Sequence, residues 1–446
     1  MRRLIKRVFQ LRPGEAGIVF ILGVILLGNS LAYEVSGVVA VSGFLGQVGV
    51  SNMLIVWAVD MLLIAAAAAF HSLIVDRFNR IFLLRWMTFL LGILYVMLRL
   101  MFTLDIPQWF NYALLYLIAE QQWFFFPLVF WILTNDVVEI AQSRRLFPVI
   151  AAFGFIGKFA GVSLAAISPQ YLTDLQLPLE ELLTFNVVVY AVVFLVISFG
   201  LHDVFIRKTT HRKESISETL SEGWDFVRNV PIFRYLTLAF VALIACETFI
   251  EYRFLVISDA KYPDAGDYQT FYSIYRLVFI VASIVVQGLL SGRLLARWGL
   301  RNTPFVLPIF TAIGLGWMLA VPNLVSSFGG VLLNKIPLYT VDESTRKGFQ
   351  ALIPEERRGR VSIFMDSYIY TLGALLGVSI IGVTIFIGRA RDTDDAYTIY
   401  LAVGLVASAL SMWALSRLRR GYDVSMMNWR LKRRQRSTNL LNKLEF

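Results

Sequence analysis

The chain has 446 residues, 57% of them hydrophobic and only 16% charged, with a mean hydropathy of +0.67. Soluble domains carry about 25% charged residues and keep apolar runs short, so a soluble globular enzyme is excluded. The net charge of +10 raises nucleic acid as a partner, but the cations are distributed as in a membrane topology signal, and no nucleic-acid partner is expected.

The basic start, with Arg2, Arg3, Lys6 and Arg7, has the character of a signal peptide. The apolar run after Ala16 is too long for a cleavable segment and contains Glu34, so it reads as the first span. Twelve spans are predicted, near 15–44, 52–75, 81–102, 109–135, 148–168, 182–203, 233–258, 270–291, 303–321, 325–341, 362–388 and 396–415. Each is long enough to cross a hydrocarbon core of about 30 Å as a helix. They lack the alternation of barrel strands, and lipid tolerates no other open structure. The expected fold class is therefore an all-α membrane protein.

Lys and Arg assign the sides. One set of connections holds Arg77/Arg80, Arg144/Arg145, Arg207–Lys213, Arg293/Arg297/Arg301 and Arg346–Arg360, together with both ends of the chain. The other set has little beyond Lys261, Arg389 and Arg391 and is rich in Asp and Glu. The positive-inside rule then puts both termini in the cytoplasm, and the expected location is a bacterial inner membrane. The predicted organisation is a bundle of six helices over 1–203, a polar cytoplasmic linker over 204–232, a second bundle over 233–415 and a basic tail over 416–446. The tail, with Trp429 and Leu431 among cations, either lies on lipid headgroups or is simply solvated.

Cys246 is the single cysteine, and His71, His202 and His211 are scattered, so no disulfide, metal site or cofactor is expected. A Walker-type phosphate loop and a Ser-His-Asp spacing are likewise missing, which argues against a primary pump and against an enzyme.

The two halves repeat with an offset of about 215 residues. Asp76, Arg77 and Arg80 follow span 2, and Gly292 and Arg297 follow span 8. Both stretches resemble the loop signature Gly-x-Leu-x-Asp-Arg-x-Gly-Arg of the major facilitator superfamily, although Ser72 and Asn79 replace its glycines and Ala296 its Asp. Intramembrane charges also correspond: Glu34 with Glu247/Glu251, Asp60 with Arg276, Glu120 with Lys335, and Lys158 with Asp366. The superfamily resemblance implies two six-helix bundles with spans 1, 4, 7 and 10 around a central cavity. Those spans carry Glu34, Glu120, Glu247, Glu251, Arg253 and Lys335. A charge inside a span faces water or a partner, so Glu34, Glu120, Glu247, Glu251 and Lys335 are the candidate substrate-binding or coupling residues. Asp76, Arg77, Arg80, Gly292 and Arg297 are the candidate gating residues. Ion pairs that merely hold packing are the competing reading, for Glu120–Lys335 and more so for Asp60–Arg276 and Lys158–Asp366.

A narrower resemblance rests on Leu117-Ile118-Ala119-Glu120, Phe130-Trp131, Thr134-Asn135-Asp136 and Ser143-Arg144-Arg145-Leu146-Phe147. It continues through Cys246, Ile250-Glu251, Tyr262-Pro263, Asp267-Tyr268, Phe271 and Arg297-Trp298-Gly299, then Asn334-Lys335, Tyr339, Glu343-Ser344-Thr345-Arg346 and Ile353-Pro354. These stretches resemble the nonmitochondrial ATP/ADP translocases of plastids and obligate intracellular bacteria. The resemblance implies exchange transport of a small molecule, a nucleotide or nucleoside-like compound, with Glu120, Glu251 and Lys335 at charged positions used in transport. Span 1 departs from it: after Asn29, Glu34 stands at the family's Arg and Gly37 at a family Lys, and Leu338 takes a further Lys position.

The expected function is secondary transport of a small polar metabolite by alternating access, with membrane lipids as surroundings and ATP and ADP as poor substrates. On this reading Lys335→Ala abolishes binding of an anion and Glu34→Gln is tolerated. A facilitator fold serving as a sensor, assembly factor or membrane anchor is the alternative, and solute flux in proteoliposomes separates the two.

Overall fold

In the computed structural model, residues 15–74, 79–138, 140–202, 216–390 and 396–444 are described. They are almost entirely helical, with no strand among them. In chain order the helices are α1 (Glu15–Val48), α2 (Met53–Ile74), α3 (Arg80–Met101), α4 (Gln108–Val137), α5 (Ile140–Asp174), α6 (Leu182–Gly200), α7 (Ile216–Asn229) and α8 (Pro231–Lys261). Then follow α9 (Ala265–Val285), α10 (Gly292–Asn302), α11 (Val306–Ala320), α12 (Leu324–Pro337), α13 (Glu343–Gln350), α14 (Glu355–Ile363), α15 (Tyr370–Ala390) and α16 (Ala396–Leu444).

Ten helical stretches among the described residues are long and apolar enough to cross a bilayer, or eleven if the α7–α8 pair, bent by 108°, forms one span. One of the ten, Ala265–Ala320, is 56 residues long. It is interrupted at Gly299, where φ is 68° and ψ 170°, a conformation that a residue without a Cβ adopts at little cost.

The chain forms two compact units. The first comprises the residues up to Ile216 together with Leu255–Val281, and the second Ser217–Phe254 with Ala282–Phe446. The first unit is built around α1, which packs on α4, α5 and α6. Lipid supplies no hydrophobic drive between helices, so close backbone approach and buried hydrogen bonds hold them together. Against α5 the approach is close enough that a Cβ on Gly157 or Gly161 would collide with the carbonyl oxygens of Leu27 or Leu31. Against α4, α3 and α6 a buried polar chain does the work. Gln122 Nε2 donates to the Asn29 carbonyl at 3.0 Å, and Tyr95 donates to Gln122 Oε1 at 2.6 Å. Ser36 donates to the Tyr95 hydroxyl at 2.8 Å, Asn186 donates to Ser36 at 2.6 Å, and Tyr190 donates to Asn29 at 3.0 Å.

The hairpin joining α8 to α9 belongs to this unit. Gln269, fully buried, donates to the Ala165 carbonyl and to Ser168 Oγ, both at 3.0 Å, and accepts from Ser42 at 3.4 Å.

In the second unit α7 docks through Glu222, which pairs with Arg360 at 2.6 Å, and through Gly223, whose backbone lies under the Phe364 ring. Nearby, Ile232, Phe233, Leu236, Phe349, Val361, Met365 and Leu415 form one apolar core. The second half of the linker region is therefore a packed helix rather than a polar loop. Its charges conceal the spacing of Leu220, Gly223 and Val227, which share one helix face. Residues 203–215 lie outside the described residues. The basic tail continues α16 without a break as far as Leu444. Three π-helical segments, Val286–Ser291, Leu338–Asp342 and Phe364–Ile369, interrupt helices of this unit, and such segments frequently mark functional sites.

The α1–α5 contact generates a test. Gly157→Val or Gly161→Val should lower the melting temperature of the detergent-solubilised chain, because overpacking against backbone costs about 1–3 kcal/mol. Gly382→Ala, where nothing stands within 4 Å of the new methyl group, should leave it unchanged or slightly raised.

Candidate functional site

Two clusters of charged side chains lie near the middle of long apolar helices, one in each unit. In the first unit, α1 is held in place by the polar chain around Asn29, which fixes Tyr33 and Glu34 one turn further on. Arg276 of α9 reaches Glu34, with Nη2 2.8 Å from Oε2; the side chains are 16% and 3% exposed. The guanidinium occupies space left by Gly37, its Nη1 standing 3.1 Å from where a Cβ would lie. It also lies near the rings of Tyr33 and Tyr272, 5.4 and 5.9 Å from their centroids. Tyr33 donates to Glu120 Oε1 at 3.4 Å, and the next residue of α4, Gln121, donates to Asp60 at 2.9 Å. Asp60 is thus held by an amide, and Arg276 by Glu34 rather than by Asp60.

In the second unit the partners form a ladder. On α8, Glu247 and Glu251 share a face at i,i+4, and Lys335 and Tyr339 follow the same spacing on the antiparallel chain. Lys335 Nζ donates to Glu251 Oε1 at 2.6 Å, and one turn further along Tyr339 donates to Glu247 at 3.0 Å. Tyr339 sits in the π-helical segment after Pro337, and Asp342 of the same segment pairs with Arg346 at 2.8 Å. Asp366 is held by Arg346, Lys347 and Gln350 at 3.2, 2.7 and 2.9 Å. That replaces the expected Lys158–Asp366 pair. Arg253 instead stacks on the Tyr397 ring, 3.7 Å from its centroid.

All five candidate substrate or coupling residues therefore sit in these two clusters: Glu34 and Glu120 in the first, Glu247, Glu251 and Lys335 in the second. The gating candidates are more dispersed. Asp76 and Arg77 lie outside the described residues. Arg80 is buried and its Nε is 3.1 Å from Asp136 Oδ2 at the end of α4. Gly292 and Arg297 are exposed on α10. Sequence reasoning missed Tyr33, Gln121, Tyr272 and Tyr339 because tyrosine and glutamine are ordinary inside apolar helices. The available signals were the adjacency of Tyr33 to Glu34 and of Gln121 to Glu120, and the i,i+4 spacing of Tyr272 from Arg276 and of Tyr339 from Lys335. Among the described residues no group of acidic, His and Cys side chains is arranged to hold a metal ion.

The family model of the TLC ATP/ADP transporter matches residues 51–324, more than half of the chain. The chain belongs to that family. ADP,ATP carrier protein 3 of Rickettsia typhi is 22% identical over 360 residues, covering 70% of each chain. Among solved structures, a mutant of the nucleoside transporter NupG aligns with a TM-score of 0.64 at 13% identity, over 90% of this chain and 98% of that one. The POT family transporter PepTSo gives 0.62 at 11% identity, over 90% and 98%. A bacterial homologue of the iron transporter ferroportin in an inward-facing state gives 0.62 at 14%, over 91% and 100%. These likenesses establish the major facilitator fold. The chain is an integral membrane protein and a secondary transporter with a small-molecule substrate.

The Glu34–Arg276 pair changes what Glu34→Gln should do. Removing one partner of a buried pair leaves an uncompensated charge and costs about 3–5 kcal/mol. Glu34→Gln should therefore lower the melting temperature markedly, and Glu34→Arg with Arg276→Glu should recover part of the loss. Thermal unfolding of the three proteins in detergent checks this.

Proposed function

We propose that this transporter moves a small polar metabolite of low net charge, nucleotide- or nucleoside-like, and exchanges ATP for ADP poorly. The observation that carries the reading is pairwise neutralisation: Arg276 is committed to Glu34 and Lys335 to Glu251. A nucleoside triphosphate needs several fixed cations against its phosphates. Carboxylates at Glu120 and Glu247 would repel it, and repulsion is strong where the dielectric constant is low. A monoanion, a zwitterion or a neutral nucleoside meets no such barrier.

A rocking transport cycle is the one this fold supports best. Six-helix halves, 1–203 and 233–415 joined by 204–232, rock by alternating access, with 416–446 as a tail. Counting Ala265–Ala320 as two spans and α8 as another gives twelve, with both termini in the cytoplasm of a bacterial inner-membrane protein. Substrate competes with Glu251 for Lys335, and with Arg276 for Glu34, so that occupancy loosens each pair. Glu34, Glu120 and Glu251 are the proposed coupling residues.

Purified protein in liposomes decides the matter. ATP/ADP counter-exchange should be slow, and uptake of a less charged competitor such as adenosine or its monophosphate faster; robust ATP/ADP exchange overturns the proposal. Lys335→Ala should reduce uptake by roughly tenfold or more, the equivalent of one charge-assisted contact, with Lys335→Arg partly active. If Lys335→Ala lowers the melting temperature equally with and without substrate, Lys335 serves packing alone.

A further inference from the structure

Lys158 of α5 is a charged residue in the middle of a long apolar helix, and the pairings described above do not account for it. It is half-buried, and among the described residues it has no hydrogen-bond or ion-pair partner. A lysine at this depth is costly in lipid and normally faces water or an anion.

Its face on α5 is not the lipid face. Ile156, Phe159 and Ile167 share the exposed side of the helix. Lys158 instead shares a stripe with Val162 and Ala165, at i, i+4 and i+7, and both of those are fully buried. The Ala165 carbonyl accepts from Gln269, so further along the helix this stripe is covered by α9. The two helices are antiparallel. Moving two turns, roughly 10 Å, away from that contact leads to Lys158 on α5 and to Arg276 on α9. The two cations are level with each other on neighbouring helices.

Their charges are compensated unequally. Arg276 has Glu34, whose Cβ lies against Gly161, one turn from Lys158. The other carboxylates of the cluster, Glu120 and Asp60, accept from Tyr33 and Gln121. They sit on α4, which packs against α1, and on α2, which packs against α4. Lys158 therefore adds one positive charge beside a pair that is already neutral. Two level cations repel in a low-dielectric setting unless an anion joins them.

We infer that Lys158 is an anion-binding residue of the substrate site, receiving a carboxylate or a phosphate monoester. The inference rests on the proposed function and adds to it a further cation, in addition to Lys335, for the substrate's negative charge. Lysine suits this task because its ammonium is a compact point charge on a flexible stem.

The test uses the full-length protein with three probes: adenosine 5′-monophosphate, pyruvate and uncharged adenosine. At least one anion should raise the melting temperature of the unmodified chain. Lys158→Gln should weaken that stabilisation by roughly tenfold in apparent affinity, Lys158→Arg should keep it, and the response to adenosine should not change. Cys246→Ser removes the single native cysteine, so Lys158→Cys can be labelled in that background. A methanethiosulfonate ethylammonium reagent added from water should react there and, by restoring an ammonium group, restore the anion response.

Failure of the cysteine to react would place Lys158 against lipid and overturn the inference. So would an anion response that Lys158→Gln leaves intact, or no response of the unmodified chain to either anion. Adenosine flux measured in the same preparations keeps the two readings apart. Flux with an indifferent Lys158 sinks only this inference, whereas no flux of any of the three probes sinks the proposed function.

Discussion

A charge placed in the middle of an apolar helix must find a partner, and much of the first unit is arranged around that requirement at Glu34. The carboxylate is almost completely buried, and its counter-charge arrives from a helix far away in sequence. The Arg276 guanidinium lies over residue 37, where a Cβ would stand a tight 3.1 Å from Nη1. Around the pair, α1 is fixed on one side by glycine contacts from α5 and on the others by the Asn29–Gln122–Tyr95–Ser36–Asn186 chain. Each of those hydrogen bonds is modest by itself. Together they set the rotation of α1, and that rotation decides whether Glu34 meets the guanidinium or apolar surroundings.

The second unit meets the same requirement with a different device. Glu251 and Glu247 form successive rungs with Lys335 and Tyr339, and the ladder passes from α12 into a π-helical segment just after Pro337. A proline removes one backbone donor, and a π turn adds a residue to the register. The insertion leaves Tyr339 opposite Glu247 while Asp342 turns toward Arg346. The irregularity lies where charged side chains must reach partners on two sides.

Much of this was legible in the sequence because the bilayer imposes a simple rule. Apolar runs of about 20 residues mark spans, and Lys and Arg mark loops. Carboxylates and lysines inside those runs stand out against a uniform background, so Glu34, Glu120, Glu247, Glu251 and Lys335 were identifiable one by one. Their partners were not. Matching the repeated halves suggested Asp60 for Arg276 and Asp366 for Lys158, since equivalent places in a repeat look like facing places. Contact is decided by helix neighbours and by rotation about each axis, and neither is written in hydropathy. Gly37 shows the limit clearly. In sequence it reads as a lost cation, whereas in space it is the gap through which a cation from another helix enters. The packed helix α7 was hidden for a related reason: its charges outnumber the few apolar residues that dock it.

On the proposed reading, the location of the cations bears on substrate choice more than their number. Arg276, delivered across the helix interface onto Glu34, brings its charge already matched, and the same holds for Lys335 against Glu251. Matched pairs are polar but nearly neutral at the distance of an approaching ligand, so long-range attraction of a polyanion is weak. At contact distance they behave differently. A ligand group can replace one member of a pair only by offering equivalent hydrogen bonds, which favours small groups of single charge and correct shape over large, highly charged ones. Exchanging one partner for another also gives each pair two states, matched internally or matched by ligand. In that way the cost of burying charge becomes a means of sensing whether the site is filled.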